Sequence, residues 1–245
     1  MSPSFLTSRP ETHPDTHPGT HAGTHRASSP EAFAEARTVR LDIRRGGPGA
    51  PVTPGPLAEA ARWGALALPV GRFSLHEIHT KRDLPLLHTW MNDPDVARWW
   101  HLAGDEEVVR RHLAEQAARS HTHAYLGCLD DEPIGYWELY RADLDDLARH
   151  YPAHPHDVGV HVLIGPPARR GRGVGALLLR AIAELVLRAA PDTGRVIAEP
   201  DIRNTASVAA FAHAGFTRAG DIELPGKRAA LMTRARSVPA AGTRS

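Results

Sequence analysis

The chain has a single cysteine, Cys128, among 245 residues. That excludes an intramolecular disulfide framework and a cysteine-based zinc site, and it suits a reducing compartment. It also lacks a signal core. The opening MSPSFLTSRPETHPD contains no apolar run, and no later stretch approaches the roughly 18 apolar residues of a membrane helix. A cytoplasmic protein without a membrane partner is therefore expected. A field of one sign is missing too: 29 Lys and Arg face 28 Asp and Glu, for a formal net charge of +1. Nucleic-acid binding usually leaves a basic footprint, so no nucleic-acid partner is expected and any anion site must be local.

What is present is unevenly spread. The 42% hydrophobic share is ample for a packed core, but Pro and Gly crowd the first seventy positions. Residues 12–27, THPDTHPGTHAGTHRA, repeat Thr-His every four positions and carry His13, His17, His21 and His25 without an apolar neighbour able to anchor them. Such a segment buries too little surface to offset its ordering entropy. Residues 1–36 are expected to be a disordered tail, not a defined metal site. Residues 37–70 read as a short strand and linker extension: RTVRLDIRR alternates, GGPGAPVTPGP is linker, and LAEAARWGALAL reads as a helix broken at Gly64. The folded domain is expected over 71–236, with 237–245 a disordered terminus.

From residue 71 the elements follow in order. FSLHEIH (73–79) alternates as a strand, and Leu84, Leu87 and Met91 set a helix over 83–93 that ends near Pro94. Asp105 is placed to cap a second helix whose inner face carries Val109, His112, Leu113 and Gln116. Two strands around Asp130-Asp131-Glu132-Pro133 form a hairpin, and DVGVHVLIG (157–165) is the fourth strand. A helix over 175–189, a strand RVIAEPD (195–201), a short helix after Asn204 and a hairpin turning at Pro225-Gly226 complete the chain. The order β, α, α, β, β, β, α, β, α, β, β indicates an α/β domain with most strands in one mixed sheet.

Between the fourth strand and the following helix lies PARRGRGVGA, residues 167–176. A Walker loop needs Lys followed by Ser or Thr after its glycines, which is absent here. Gly171, Gly173 and Ala176 match the dinucleotide fingerprint literally, yet that loop should directly follow the first strand of several βα units. A plain surface turn would need glycine only for its backbone angles. The reading that uses every residue is a pyrophosphate cradle at a helix N-terminus. Unpaired N–H groups and the positive dipole end face the anion, glycines allow close approach, and Arg169, Arg170 and Arg172 add charge.

Arg170-Gly171-Arg172-Gly173-Val174-Gly175 resembles the [QR]xxGx[GA] acyl-CoA loop of the GNAT N-acyltransferases, whose element order is similar. That resemblance implies a mostly antiparallel central sheet with a splayed V between its fourth and fifth strands, flanked by helices. It also implies that coenzyme A pyrophosphate sits on Arg169, Arg170, Gly171, Arg172, Gly173, Val174, Gly175 and Ala176, with Asn204 touching the pantetheine arm. HTWMNDPDVARWW, DVGVHVLIG, AEPDIRN and LPGKRAALM narrow the likeness to the acyltransferases of hydroxamate siderophore biosynthesis, which acylate N-hydroxylysine or N-hydroxycadaverine. It covers about residues 75–234.

Read as residues, the fourth strand sets Val158, Val160, Val162 and Ile164 on one face and Asp157, Gly159, His161 and Leu163 on the other. His161 is either a hydrogen-bonded structural residue or a catalytic one. Glu199 ends an apolar strand, where a carboxylate is costly unless paired. The family resemblance implies that Glu199 and His161 are catalytic. It places Glu199 as proton acceptor, His161 as the group that orients the N-hydroxyl or assists as base, and backbone donors at Val162, Leu163 and Ile164 near the oxyanion. Trp99, Trp100, Trp137, Glu138 and Asp201 are candidate substrate contacts. For the tryptophans the alternative is packing, for Glu138 a solvated edge carboxylate, and for Asn204 a plain helix N-cap. The expected co-substrate is acetyl-CoA or succinyl-CoA, the partner a small hydroxylamine, and no metal is expected. A GNAT enzyme acting on an ordinary amine, such as an aminoglycoside or a protein N-terminus, is the second reading.

Overall fold

The computed structural model describes residues 55–237, so the readings of residues 1–54 and 238–245 lie outside the described residues. A short 3-10 helix, Pro56–Arg62, precedes β1 (Leu66–Leu68) and β2 (Gly71–Glu77). Then come α1 (Thr80–Met91), α2 (Pro94–Trp100), α3 (Glu106–Ala118), β3 (Thr122–Leu129) and β4 (Glu132–Arg141). β5 (Val158–Ile164), α4 (Val174–Ala189), β6 (Arg195–Ala198), α5 (Thr205–His213), β7 (Thr217–Leu224) and β8 (Lys227–Ala235) close the chain. The eight strands form one sheet in the order β1-β2-β3-β4-β5-β6-β8-β7.

Every strand pair is antiparallel except β5 with β6, which run parallel and pair only at Val158 with Val196 and Gly159 with Ile197. β5 continues to Ile164 while β6 ends at Ala198, so the two strands share a base and part toward their C-terminal ends. This is the splay expected between the fourth and fifth strands, renumbered by the extra strand β1.

Period-two alternation sends the strands' side chains to two cores. Phe73, Tyr125, Trp137, Leu139, Val158 and Val160 pack under α4 and α5, whose Leu178, Ile182, Leu185 and Phe211 face them. Leu126, Cys128, Tyr136 and Leu163 point the other way, onto Leu84, Leu87, Val109 and Leu113 of α1 and α3. Helices thus cover both faces, which lets β3, β4 and β5 carry apolar side chains on both sides around the polar positions Glu138 and His161.

Three local readings are revised. Residues 56–70, read as extension, belong to the folded layer: Leu57 is buried in the α4-side core and β1 pairs with β2. α1 starts at Thr80, before the expected 83, because the Asp83 carboxylate reaches back to accept from the His79 N–H at 2.8 Å. α1 ends at Met91, near Pro94 as expected, but Pro94 also opens an unexpected short helix, α2, with Asp93 as N-cap accepting from the Asp95 N–H at 2.9 Å. Asp105 caps α3 as expected, accepting from the Val108 N–H. The β3–β4 hairpin turns on Asp130 and Asp131 alone, both at positive φ, as a tight two-residue turn requires.

Candidate functional site

β4 and β5 lie side by side in a register that sets Glu138 opposite His161 and Tyr140 opposite Gly159. All four positions look toward the α3 side of the sheet. Gly159 lacks a side chain, and the Tyr140 ring occupies the space: a Cβ there would sit 2.0 Å from Tyr140 Cζ. The gap noticed in the sequence is therefore filled by an aromatic ring that carries a hydroxyl toward the end of β6. Glu199 follows β6 directly, on the same side.

These placements converge on one imidazole. His161 Nδ1 stands 2.8 Å from Glu138 Oε2, and Nε2 stands 2.5 Å from Glu199 Oε1. Both carboxylates are buried, at 4% and 6% exposure, while the His161 side chain is 38% exposed and forms the accessible part of the cluster. The Tyr140 hydroxyl donates to Glu199 Oε2 at 2.9 Å and lies 3.4 Å from His161 Nε2. Lys227 Nζ donates to the Glu199 carbonyl at 2.7 Å. On the far side, Glu138 Oε1 meets His112 Nε2 of α3 and accepts from the Tyr136 hydroxyl, both at 2.8 Å.

Charge follows from this geometry. Burial disfavours an imidazolium, but the Glu199 and Glu138 carboxylates outweigh it and raise His161 to about 10. Burial likewise works against Glu199, and His161, then Lys227 and Tyr140, pull its carboxyl down to about 2. Glu138 is held well below the carboxylate range by His112 and His161 despite its burial. The Tyr140 phenol is pushed well above its usual value by burial and the Glu199 charge. A neutral imidazole donates through one nitrogen only, so donating to two carboxylates requires the charged ring.

The glycine loop follows β5 and leads into α4. Gly171 and Gly173 adopt φ of 67° and 77°, and nothing stands within 4 Å of a Cβ built at either. Among the described residues, no acceptor takes the N–H groups of residues 171–175, whereas Ala176 and Leu177 donate to the Gly173 carbonyl. Arg169 and Arg172 are exposed beside these donors. Open donors, glycine and two free cations at the start of a 16-residue helix suit a multiply charged anion.

Arg170 departs from the expected phosphate role. Its guanidinium donates to the carbonyls of Ile164 and Gly165 at 2.8 and 2.5 Å and to Asp93 Oδ1 at 2.8 Å, so its donors brace the loop against α2. Trp137, a candidate substrate contact, is fully buried on the opposite face against Phe73, because odd positions of β4 point toward α4. Glu138 is neither an edge carboxylate nor open to substrate, since three protein groups hold its two oxygens. Trp99 sits under the Arg98 guanidinium, away from the cluster. Trp100 does reach it, edge-on to His161 at 6.3 Å between ring centroids and to Tyr136 at 5.5 Å.

Asn204 is the N-cap of α5, accepting from the Ser207 N–H at 3.1 Å. Asp201 is clamped by Arg203 and borders an open groove lined also by Glu223, Leu224, Lys227 and Arg228. Val162 and Ile164 pack into the α4-side core while their backbone runs along the part of β5 that has no β6 partner. Sequence reading did not place Tyr140, His112, Tyr136 or Lys227 in the site. For Tyr140 a signal existed, since a large ring opposite a glycine on neighbouring strands fills that glycine's space. Among the described residues no group of three or more His, Cys, Asp or Glu is arranged to hold a metal, and no helix is long and apolar enough to cross a membrane.

Comparison with known proteins agrees with this architecture. The acetyltransferase (GNAT) domain family matches residues 79–224. The N(6)-hydroxylysine O-acetyltransferase of Escherichia coli is 33% identical over 143 residues, which are 58% of this chain and 45% of that protein. The lysine N-acyltransferase MbtK of Mycobacterium sp. (strain MCS) is 31% identical over 159 residues, 65% of each chain. The aligned region thus spans between about half and two thirds of these relatives. Among solved structures, AAC(6')-Ib in complex with paromomycin and acetyl-CoA superposes with a TM-score of 0.60 at 27% identity, covering 67% of this chain and 93% of that one.

Proposed function

Because the chain belongs to the GNAT acetyltransferase family, we propose that it transfers an acyl group from acyl-CoA to the hydroxylamine nitrogen of N-hydroxylysine or N-hydroxycadaverine, giving a hydroxamate for siderophore assembly. The observation that carries this reading is the His161–Glu199 pair, 2.5 Å apart, at the mouth of the β5–β6 splay and on the strands that border the open N–H groups of the loop. The names of the Escherichia coli and Mycobacterium relatives support the lysine-derived acceptor. So does the groove beside Lys227. Its cations and anions, Arg203, Lys227 and Arg228 with Asp201 and Glu223, suit the zwitterionic end of an amino acid better than a simple diamine.

The loop N–H groups, Arg169 and Arg172 would hold the CoA pyrophosphate, and the run of β5 from Val160 to Ile164, paired with β4 but not with β6, would guide the arm carrying the thioester. The hydroxylamine nitrogen attacks the thioester carbonyl, forming the C–N bond. The nitrogen is left with a proton to lose, and Glu199 would accept it through water, since its two buried oxygens already face His161 and the Tyr140 hydroxyl. Collapse breaks the C–S bond and the thiolate leaves as free CoA after protonation. Backbone donors of β5 near Val162 to Ile164 would meet the oxyanion. Holding both reactants in one cleft supplies much of the remaining acceleration.

The test is an acyl-CoA assay that follows thiol release with N-hydroxylysine, N-hydroxycadaverine, lysine and cadaverine against acetyl-CoA and succinyl-CoA. The product is stained with ferric iron, which colours a hydroxamate and not an O-acyl hydroxylamine. Coloured product from a hydroxylamine, with little turnover of the parent amines, is expected. The second reading, an ordinary amine acceptor, is favoured by the superposition on AAC(6')-Ib, and an aminoglycoside in the same panel decides between the two.

A further inference from the structure

Glu138 is a buried charge that the transfer itself does not use. It is 4% exposed, His112, Tyr136 and His161 occupy its two oxygens, and the two imidazoles hold its carboxyl well below the usual carboxylate range. Burying an ion is costly unless its partners are in place, and here three elements supply them: His112 from α3, Tyr136 from β4 and His161 from β5. Without Glu138, His161 would face a single carboxylate and a neutral ring donating to Glu199 would suffice. With it, both ring nitrogens must donate.

The groups around His161 leave no other role for the second carboxylate. From β4 come Glu138 and the Tyr140 phenol, whose ring lies 4.9 Å from the imidazole. Glu199 comes from the end of β6, Lys227 of β8 acts through Glu199, and His112 of α3 acts through Glu138. α2 contributes only Trp100, edge-on. Among the described residues the ring thus meets two carboxylates, a phenol and an indole edge, with its remaining face open to solvent.

A doubly donating imidazolium has no lone pair and takes no proton. An alkylamine, with a pKa of about 10.4, arrives as an ammonium and must lose one proton before attack and another after it. A hydroxylamine arrives neutral and loses only the second. One acceptor, Glu199, is on hand. We propose that Glu138, fixed by His112 and Tyr136, is a positioning residue that keeps His161 doubly donating and so restricts the site to nucleophiles that arrive uncharged. It rests on the acyl-transfer reading and names what sets the site's preference between N-hydroxy and plain amines.

The deciding measurement is the ring ¹⁵N spectrum of His161, assigned by its disappearance in His161→Gln, followed from pH 6 to 9 in the full chain. The wild type is expected to hold the imidazolium pattern through pH 8, and Glu138→Gln to bring its titration back toward neutral pH. Turnover should follow: the ratio of kcat/KM for a hydroxylamine over its parent amine at pH 7.5 falls at least tenfold in Glu138→Gln. A wild-type midpoint near 6.5, an unshifted midpoint in the variant, or an unchanged ratio overturns the proposal. Should Glu138→Gln not fold, the wild-type titration and the same series in His112→Gln, where a weaker hold on Glu138 lowers the midpoint, decide it. The spectra need no substrate, so a chain that acylates no hydroxylamine overturns the acceptor assignment separately from the role of Glu138.

Discussion

β5 meets buried carboxylates at its start and at its middle, and the two places are built for opposite purposes. Just before its first residue, Asp157 is fully buried. It takes two bonds from the Arg195 guanidinium, at 2.8 Å each, and others from the Tyr151 hydroxyl and the His154 N–H. At His161, four positions on, two buried carboxylates share a ring that reaches solvent. Arginine keeps its charge at every relevant pH, and its fork fits one carboxylate, so the first place is a closed staple. Histidine can change charge and is shared, so the second place is adjustable. A motif of Asp, Gly and His spaced by two along one strand thus divides its labour: the Asp ties β5 to β6, the Gly admits Tyr140, and the His faces the cleft.

The contrast is broken most strongly by Glu199→Gln. Removing the proton acceptor at the adjustable site is expected to lower kcat by about 10²–10⁴-fold with a hydroxylamine acceptor while leaving acyl-CoA affinity near that of the wild type; full turnover would remove Glu199 from the chemistry. At the stapled site, Asp157→Ala strands a mostly buried guanidinium and should cost about 3–5 kcal/mol, read as a lower urea midpoint, with turnover per folded molecule retained. Gly159→Ala is smaller. Its Cβ displaces the Tyr140 ring, for about 1–3 kcal/mol, and the loss should appear in kcat as well because the hydroxyl leaves Glu199.

The mildest test is pH. His161 is raised from 6.5 to about 10, so its stabilising contribution is complete below pH 6.5 and fades as pH climbs toward 10. Glu199 is lowered from 4.5 to about 2, so its contribution is complete above pH 4.5 and is lost as pH falls toward 2. The cluster therefore stabilises most between about pH 4.5 and 6.5. Thermal melts of the wild type should decline on the alkaline side, and His161→Gln should flatten that slope. The Asp157–Arg195 staple adds no comparable slope there, since Arg195 is held above its already high value.

Much of this was legible in the residues. Most of the element order and the glycine loop at a helix start follow from alternation and helix caps, whereas the splay and the joint role of His161 and Glu199 were implied by the family resemblance, and β1 and α2 were missed. What was hidden depended on lateral register. Nothing along the chain states that Glu138 lies opposite His161, or that α3 turns His112 onto the same carboxylate, because those contacts join residues 23 and 26 positions apart. Arg170 misled for a related reason: a cation in a glycine loop looks free until the Asp93 cap comes within reach. Pro94 marked the end of α1 correctly but hid α2, since a proline both closes one helix and opens the next.

Arg170 also bears on how the site can be altered. Through it the glycine loop is bolted to the cap of α2, and α2 carries the Trp100 ring that stands edge-on to His161. The glycine loop and the His161 cluster are thus linked through one short helix. A loop transplanted from a relative without a carboxylate at position 93 would loosen the Trp100 ring it never touches. New acceptor specificities are therefore more readily grafted at the β7–β8 hairpin, which bears no such tie to the loop.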